Sequence, residues 1–130
     1  MSAIIIALCI VGLFVSLRME SKARMDARGL VREPSVVQTP RARVLGRTSN
    51  SMLGLLYYAL LGVAALFMHD AVVATAMLSA ALLAAIMSAY LAYSLLFVTR
   101  MPCINCWLGH AVNWLLFGLL VMQRYGLAPR

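Results

Sequence analysis

The chain has 130 residues, 64% of them apolar and 12% charged, with a formal net charge of +7. Soluble domains carry about 45–50% apolar and about 25% charged residues, and a domain this small has too much surface for its volume to hide such an excess. The composition argues against a soluble enzyme, a disordered chain and a disulfide-knotted secreted domain. It points to a lipid bilayer as the solvent, because the apolar residues come in long blocks.

The first block reads AIIIALCIVGLFVSL and predicts a helix over about 3–19, with Arg18 snorkelling towards the headgroups. Met1 and Ser2 bring no side-chain positive charge, and Ser21-Lys22-Ala23 is a poor cleavage site, so the block reads as a retained helix rather than a signal peptide. A polar, basic loop over about 20–50 follows, whose early part can extend the first helix into water as far as Arg28. Gly29 is the expected stop, and Pro34 and Pro40 predict irregular backbone beyond it. The second helix is expected over 51–68 and the third over 71–98, joined at His69-Asp70 as an antiparallel hairpin. Small residues from Ala71 to Ala92 pave the third, which suits close packing in lipid. The fourth is expected over 102–122, with Pro102 in its first turn. The fold class is therefore all-α: an integral membrane four-helix up-down bundle in one domain, with one long polar loop between helices 1 and 2.

The chemistry-bearing pattern is Cys103-Ile104-Asn105-Cys106 at the mouth of the last helix. Thiols at i and i+3 share a helical face and can close a disulfide. The first turn of a helix presents unpaired N–H groups and a positive dipole end, and Arg100 adds charge just before it. Both favour a thiolate, the reactive form of cysteine. Such a dithiol can meet a water-borne thiol on one side and a lipid-soluble electron carrier on the other. Rival readings are inert packing of small hydrophobes and a metal site made from Cys103, Cys106 and His110, which has no obvious fourth ligand. Haem attachment needs His directly after the second Cys, where Trp107 stands.

His110 and Asn113 continue the cysteine face. Polar groups inside a membrane are costly unless partnered. They serve either as hydrogen bonds between helices or as contacts to the carbonyl oxygens of a quinone. Trp107 and Trp114 lie near that face and could stack on a flat ring or anchor the interface. Cys9, between Leu8 and Ile10, reads as buried and inert.

On these residues the chain resembles the vitamin K epoxide reductase family. The stretch YLAYSLLFVTRMPCINCWLGHAVNWLLF, residues 90–117, carries a long third helix, the CxxC and an Asn seven residues after the second Cys. SNSMLGLLYYALLG and ALCIVGLFVSLRMESKAR resemble the family's second helix start and its first helix with a basic extension. The resemblance implies a membrane thiol–quinone oxidoreductase. Cys106 would face the quinone and Cys103 would exchange with electron-donating thiols. Asn50, His110, Asn113 and Trp107 would contact a ubiquinone- or menaquinone-type substrate, with no metal. His110 falls where vertebrate members carry a Tyr. The expected partners are membrane lipid, the quinone, and a separate thioredoxin-like thiol protein or a larger membrane complex. No nucleic acid is expected, because the basic excess belongs to membrane topology.

Two departures stand out. The family's usual second cysteine pair, in the first loop, is missing between Arg18 and Asn50. A partner's thiols must then reach Cys103 directly, or the chain is a non-catalytic subunit of a larger complex. In addition, nine of the eleven Lys and Arg residues lie at the CxxC end. Charge alone would put that end in the cytoplasm. The family's placement on the oxidising side implies the periplasmic face of a prokaryotic inner membrane, and that placement is the expectation adopted.

Overall fold

Hydrocarbon offers no partner to a bare N–H or C=O, so a spanning segment must satisfy its own backbone. The protein does this with helices. The computed structural model describes residues 1–30, 49–100 and 103–127, and among these residues there is no strand. Helix α1 is Ser2–Ala27 and α2 is Asn50–Ala64, which tightens into a 3-10 turn over Ala65–Phe67. Helix α3 is Ala71–Tyr93, continued by a π-helical segment over Ser94–Thr99, and α4 is Ile104–Arg124. Ser2–Ala27, Asn50–Phe67, Ala71–Thr99 and Ile104–Arg124 are each long and apolar enough to cross a membrane. Pro34, Pro40 and Pro102, with the irregular backbone and first-turn position expected of them, lie outside the described residues.

The helix ends follow from local chemistry. The Ser49 hydroxyl accepts from the Met52 N–H at 3.3 Å at the start of α2. The Asp70 carboxylate accepts from Val72 and Val73 N–H at 2.8 and 3.1 Å at the start of α3. Helix α1 runs past its apolar block to Ala27, and Arg24 Nε donates to Glu20 Oε1 at 3.3 Å one turn apart. Helix α1 stops where expected: Gly29 takes φ +69°, its N–H reaches Asp26 O, and Leu30 N–H reaches Met25 O. That is a Schellman end, which a Cβ at the left-handed position would strain. Gly126, Gln123, Leu127 and Met122 repeat it at the end of α4.

The core gathers Ile5 and Cys9 of α1, Tyr58 and Leu61 of α2, Met77 and Ala81 of α3, and Val112, Leu116 and Leu120 of α4. Helix α1 lies against both α2 and α4, and α3 lies against α4. The α1–α2 seam is close because it is made of small residues: a Cβ on Gly12 would overlap the Tyr58 ring, and one on Gly54 would sit 2.8 Å from Ser16 Oγ. On α3 the small inward residues Ala81, Ser88 and Ala92 meet the neighbouring helices, as the alanine paving predicts. Large apolar side chains point away from the core, with Val72 and Leu66 78% and 65% exposed. A surface of that kind suits lipid rather than water. Helices α2 and α3, although joined by a tight turn, touch each other far less than the other packed pairs.

Candidate active site

A cavity of about 460 Å³ occupies the bundle, walled by α2 and α3 and backed by α1 and α4. Its size is in the range of small-molecule sites, about 300–1,000 Å³. Leu53, Leu83, Met87 and Leu91 make apolar walls. Asn50, Ser51, Thr99, Cys106 and His110 bring polar or reactive groups to the end near the start of α4.

Cys103 and Cys106 are joined as a disulfide, with their Cα atoms 5.3 Å apart. Cys103 is the N-cap of α4, and its Sγ accepts from the Cys106 N–H at 3.2 Å. The helix start that was expected to favour a thiolate therefore already directs a backbone donor at sulfur. The two cysteines differ in surroundings. Cys106 is buried and lines the cavity, whereas Cys103 is half-buried and does not. The third cysteine, Cys9, is free and buried in the core.

The approach to this pair is unusual backbone. In a π-helix, residues five apart fall on one side, and Ser94 and Thr99 accordingly bring their hydroxyls to 3.4 Å and both line the cavity. The segment ends at Arg100 in the left-handed region, φ +49°. An arginine there costs on the order of 1–3 kcal/mol. The sequence gives little hint of this, because π turns have no strong residue signature.

Below the disulfide, Gly109, His110 and Asn113 continue the α4 wall. His110 is buried. Among the described residues neither the His110 ring nor the Asn50 carboxamide is engaged by a side-chain hydrogen bond. Asn113 is different. Its Oδ1 accepts from the Tyr58 hydroxyl at 2.6 Å, and its Nδ2 donates to Ser88 Oγ at 2.6 Å. One carboxamide thus ties α4 to α2 and α3. Tyr57, next to Tyr58, also lines the cavity, and its buried hydroxyl has no hydrogen-bond partner among the described residues.

Trp107 is not brought into this group. Its side chain is 36% exposed and does not line the cavity, and its ring meets His110 only edge-on at 6.3 Å between centroids. Trp114 likewise faces outward, and its Nε1 donates to Ala85 O at 3.4 Å. Among the described residues no group of three or more His, Cys, Asp and Glu side chains stands close enough to hold a metal ion.

Sequence reasoning missed Tyr57, Tyr58, Ser88 and the contact of Glu20 with Ser49 and Ser51. Tyr58 and Ser88 were discoverable, since each is a polar residue inside an apolar span. The pairing between them was not, because it depends on how three helices rotate together.

No curated protein matches the chain. Residues 3–121 match the vitamin K epoxide reductase family. The match takes in the second and third spans, nearly all of the first and fourth, and the cysteine pair at the opening of the last one, and the chain belongs to the vitamin K epoxide reductase family.

Proposed function

We propose that the protein is a membrane thiol–quinone oxidoreductase in which Cys103 and Cys106 cycle between dithiol and disulfide. The observation that carries this reading is the position of Cys106, a disulfide sulfur in the wall of a largely apolar cavity about 460 Å³ in volume. A greasy ring compound fits the chemistry of that lining: aliphatic walls for the ring faces and tail, with polar side chains gathered at the end beside the sulfur.

Cys106 acts on the quinone side and Cys103 on the aqueous side. A reduced thiol partner opens the disulfide by attack at Cys103, and a second attack by the partner's other thiol leaves Cys103 and Cys106 as a dithiol and the partner oxidised. A bound quinone takes up two electrons and two protons from this dithiol as the disulfide re-forms, and leaves as quinol. Asn50 and His110 supply hydrogen bonds to the ring oxygens, since both line the cavity with side chains not engaged elsewhere among the described residues. His110 is also a candidate proton carrier. The scarcity of contact between α2 and α3 makes that side of the cavity the entry route from the bilayer in this reading.

No cysteine lies between Arg18 and Asn50. The partner, a separate thioredoxin-like protein, therefore reaches Cys103 without a relay. The disulfide end faces the periplasm in this reading, where disulfides persist; the cationic excess at that end acts against the orientation. A membrane-impermeant maleimide applied to reduced intact cells is expected to label Cys103. Labelling only after lysis assigns that end to the cytoplasm.

The deciding experiment uses purified protein, dithiothreitol and a short-chain quinone. Quinone reduction is expected, and Cys106→Ala is expected to abolish it. Activity unchanged in Cys106→Ala removes the assignment.

A further inference from the structure

At the rim of the cavity, the aqueous extension of α1 is fastened to the first turn of α2. Glu20 Oε2 accepts from Ser51 Oγ at 2.7 Å and from Ser49 Oγ at 2.9 Å. The two serine hydroxyls are themselves 3.1 Å apart. The other oxygen, Oε1, accepts from Arg24 Nε at 3.3 Å. The carboxylate side chain is only 16% exposed, against 65% for Arg24. An acidic group in this place is also favoured by the positive end of the α2 dipole.

The residue between the two serines is Asn50. Ser49 is the N-cap of α2 and Ser51 follows Asn50 in its first turn. Holding both neighbours fixes the rotation of that turn and its height along the bundle. The Asn50 carboxamide lines the cavity and is itself not engaged by a side-chain hydrogen bond among the described residues. It owes its placement to backbone held from outside the cavity. Met19, which precedes Glu20, and Ser51 both line the same rim.

We infer that Glu20 is a positioning residue for quinone binding: through Ser49 and Ser51 its carboxylate fixes the Asn50 carboxamide at the cavity rim. This rests on the quinone reading above. The place suits a carboxylate, because both of its oxygens meet donors: Oε2 accepts from the two serine hydroxyls and Oε1 from Arg24 Nε. In glutamine one of these positions becomes an NH2 group facing donors, whichever way the amide is turned. A binding group fixed in advance loses less freedom when the ligand arrives, so loosening it weakens binding more than it alters chemistry at sulfur.

The test uses full-length protein in detergent with decylubiquinone and, separately, menadione, and dithiothreitol as reductant. Glu20→Gln is expected to raise the quinone KM at least fivefold, with kcat and the dithiothreitol KM within twofold of wild type. Ser51→Ala is expected to reproduce this, and Ser51→Thr, which keeps the hydroxyl, to recover most of the loss. The double variant Glu20→Gln/Ser51→Ala is expected to be no worse than the poorer single one, because both break the same link. An unchanged quinone KM in Glu20→Gln overturns the inference. So does a loss that falls equally on KM, kcat and melting temperature, which is the pattern of a merely structural contact. The underlying reading is tested first and separately: wild-type protein without Cys106-dependent quinone reduction overturns that reading, and this inference with it.

Discussion

Two asparagines face the same cavity in opposite situations. Asn113 is engaged at both ends, with Oδ1 on Tyr58 and Nδ2 on Ser88. Asn50 has a carboxamide without such partners among the described residues, on a turn gripped from behind by Glu20. In lipid, where an unpaired polar group is costly, partner status separates the two roles better than residue type does. In the proposed reading, an amide that ties three helices together serves the scaffold. An amide left open over a cavity and held by its neighbours serves as a binding group for the quinone. The predictions below either collapse that distinction or make it quantitative.

The largest effect is expected where the scaffold can be forced apart. A Cβ at Gly12 would overlap the Tyr58 ring. Gly12→Val must push that ring away from α1, and with it the hydroxyl that Asn113 accepts from. Overpacking of this kind costs about 1–3 kcal/mol. SDS-driven unfolding should show a loss near the upper end of that range, because a polar pair is broken as well. Retained stability would mean that the ring has another place to go and that the Tyr58–Asn113 bond is not confined by the α1 seam.

Asn113→Ala should come next. It takes the partner of the Ser88 hydroxyl and leaves the Tyr58 hydroxyl only the longer contact to Gly109 O at 3.4 Å. Hydrogen bonds between membrane helices are worth about 0.6 kcal/mol on average and about 1.7 at most, so a loss of about 1–2 kcal/mol is expected for the two together. Asn50→Ala should do the reverse. Its stability should match wild type, and quinone affinity measured by titration should fall about tenfold, the equivalent of one hydrogen bond of about 1.4 kcal/mol. If Asn113→Ala instead reduces affinity while leaving stability unchanged, the two asparagines have exchanged roles.

The parts of this arrangement that could be read from the chain are those set by local pattern. Apolar blocks and their punctuation at Gly29 and Asp70 define the helices, because a span and its caps depend on neighbours in sequence. The Cys103, Cys106, His110 and Asn113 stripe follows from helical spacing alone; the structure brings Cys106, His110 and Asn113 to one cavity and leaves Cys103, the N-cap, outside its lining. Trp107 shows the limit of spacing. It adjoins Cys106 in sequence, yet a step of one residue turns it about 100° around the helix, and it ends outside the cavity. The Glu20 contact shows a second limit: it joins residues 29 and 31 positions apart across the polar loop, and no periodicity links them. The π turn before Arg100 is a third case, where register changes without a residue type to announce it.

The smallest effect is the sharpest, because it concerns two adjacent tyrosines. The Tyr58 hydroxyl donates to Asn113, whereas the buried Tyr57 hydroxyl has no partner among the described residues. Removing an oxygen that is bonded should cost stability, and removing one that is buried and unbonded should not. Tyr58→Phe is expected to lose about 0.5–1.5 kcal/mol, the net worth of an ordinary hydrogen bond. Tyr57→Phe is expected to be neutral or to gain up to about 1 kcal/mol, because the desolvated hydroxyl disappears with nothing left unpaired. Both keep the ring and its packing, so the difference isolates the oxygen. The measurement gains force when repeated with decylubiquinone present. If Tyr57→Phe is neutral without quinone but lowers the stabilisation that quinone gives, the unpaired hydroxyl belongs with Asn50 among the groups reserved for a ligand. If it is neutral in both conditions, Tyr57 is only wall. A loss in the unliganded protein equal to that of Tyr58→Phe would mean that the hydroxyl has a partner after all, and partner status could no longer assign these two roles.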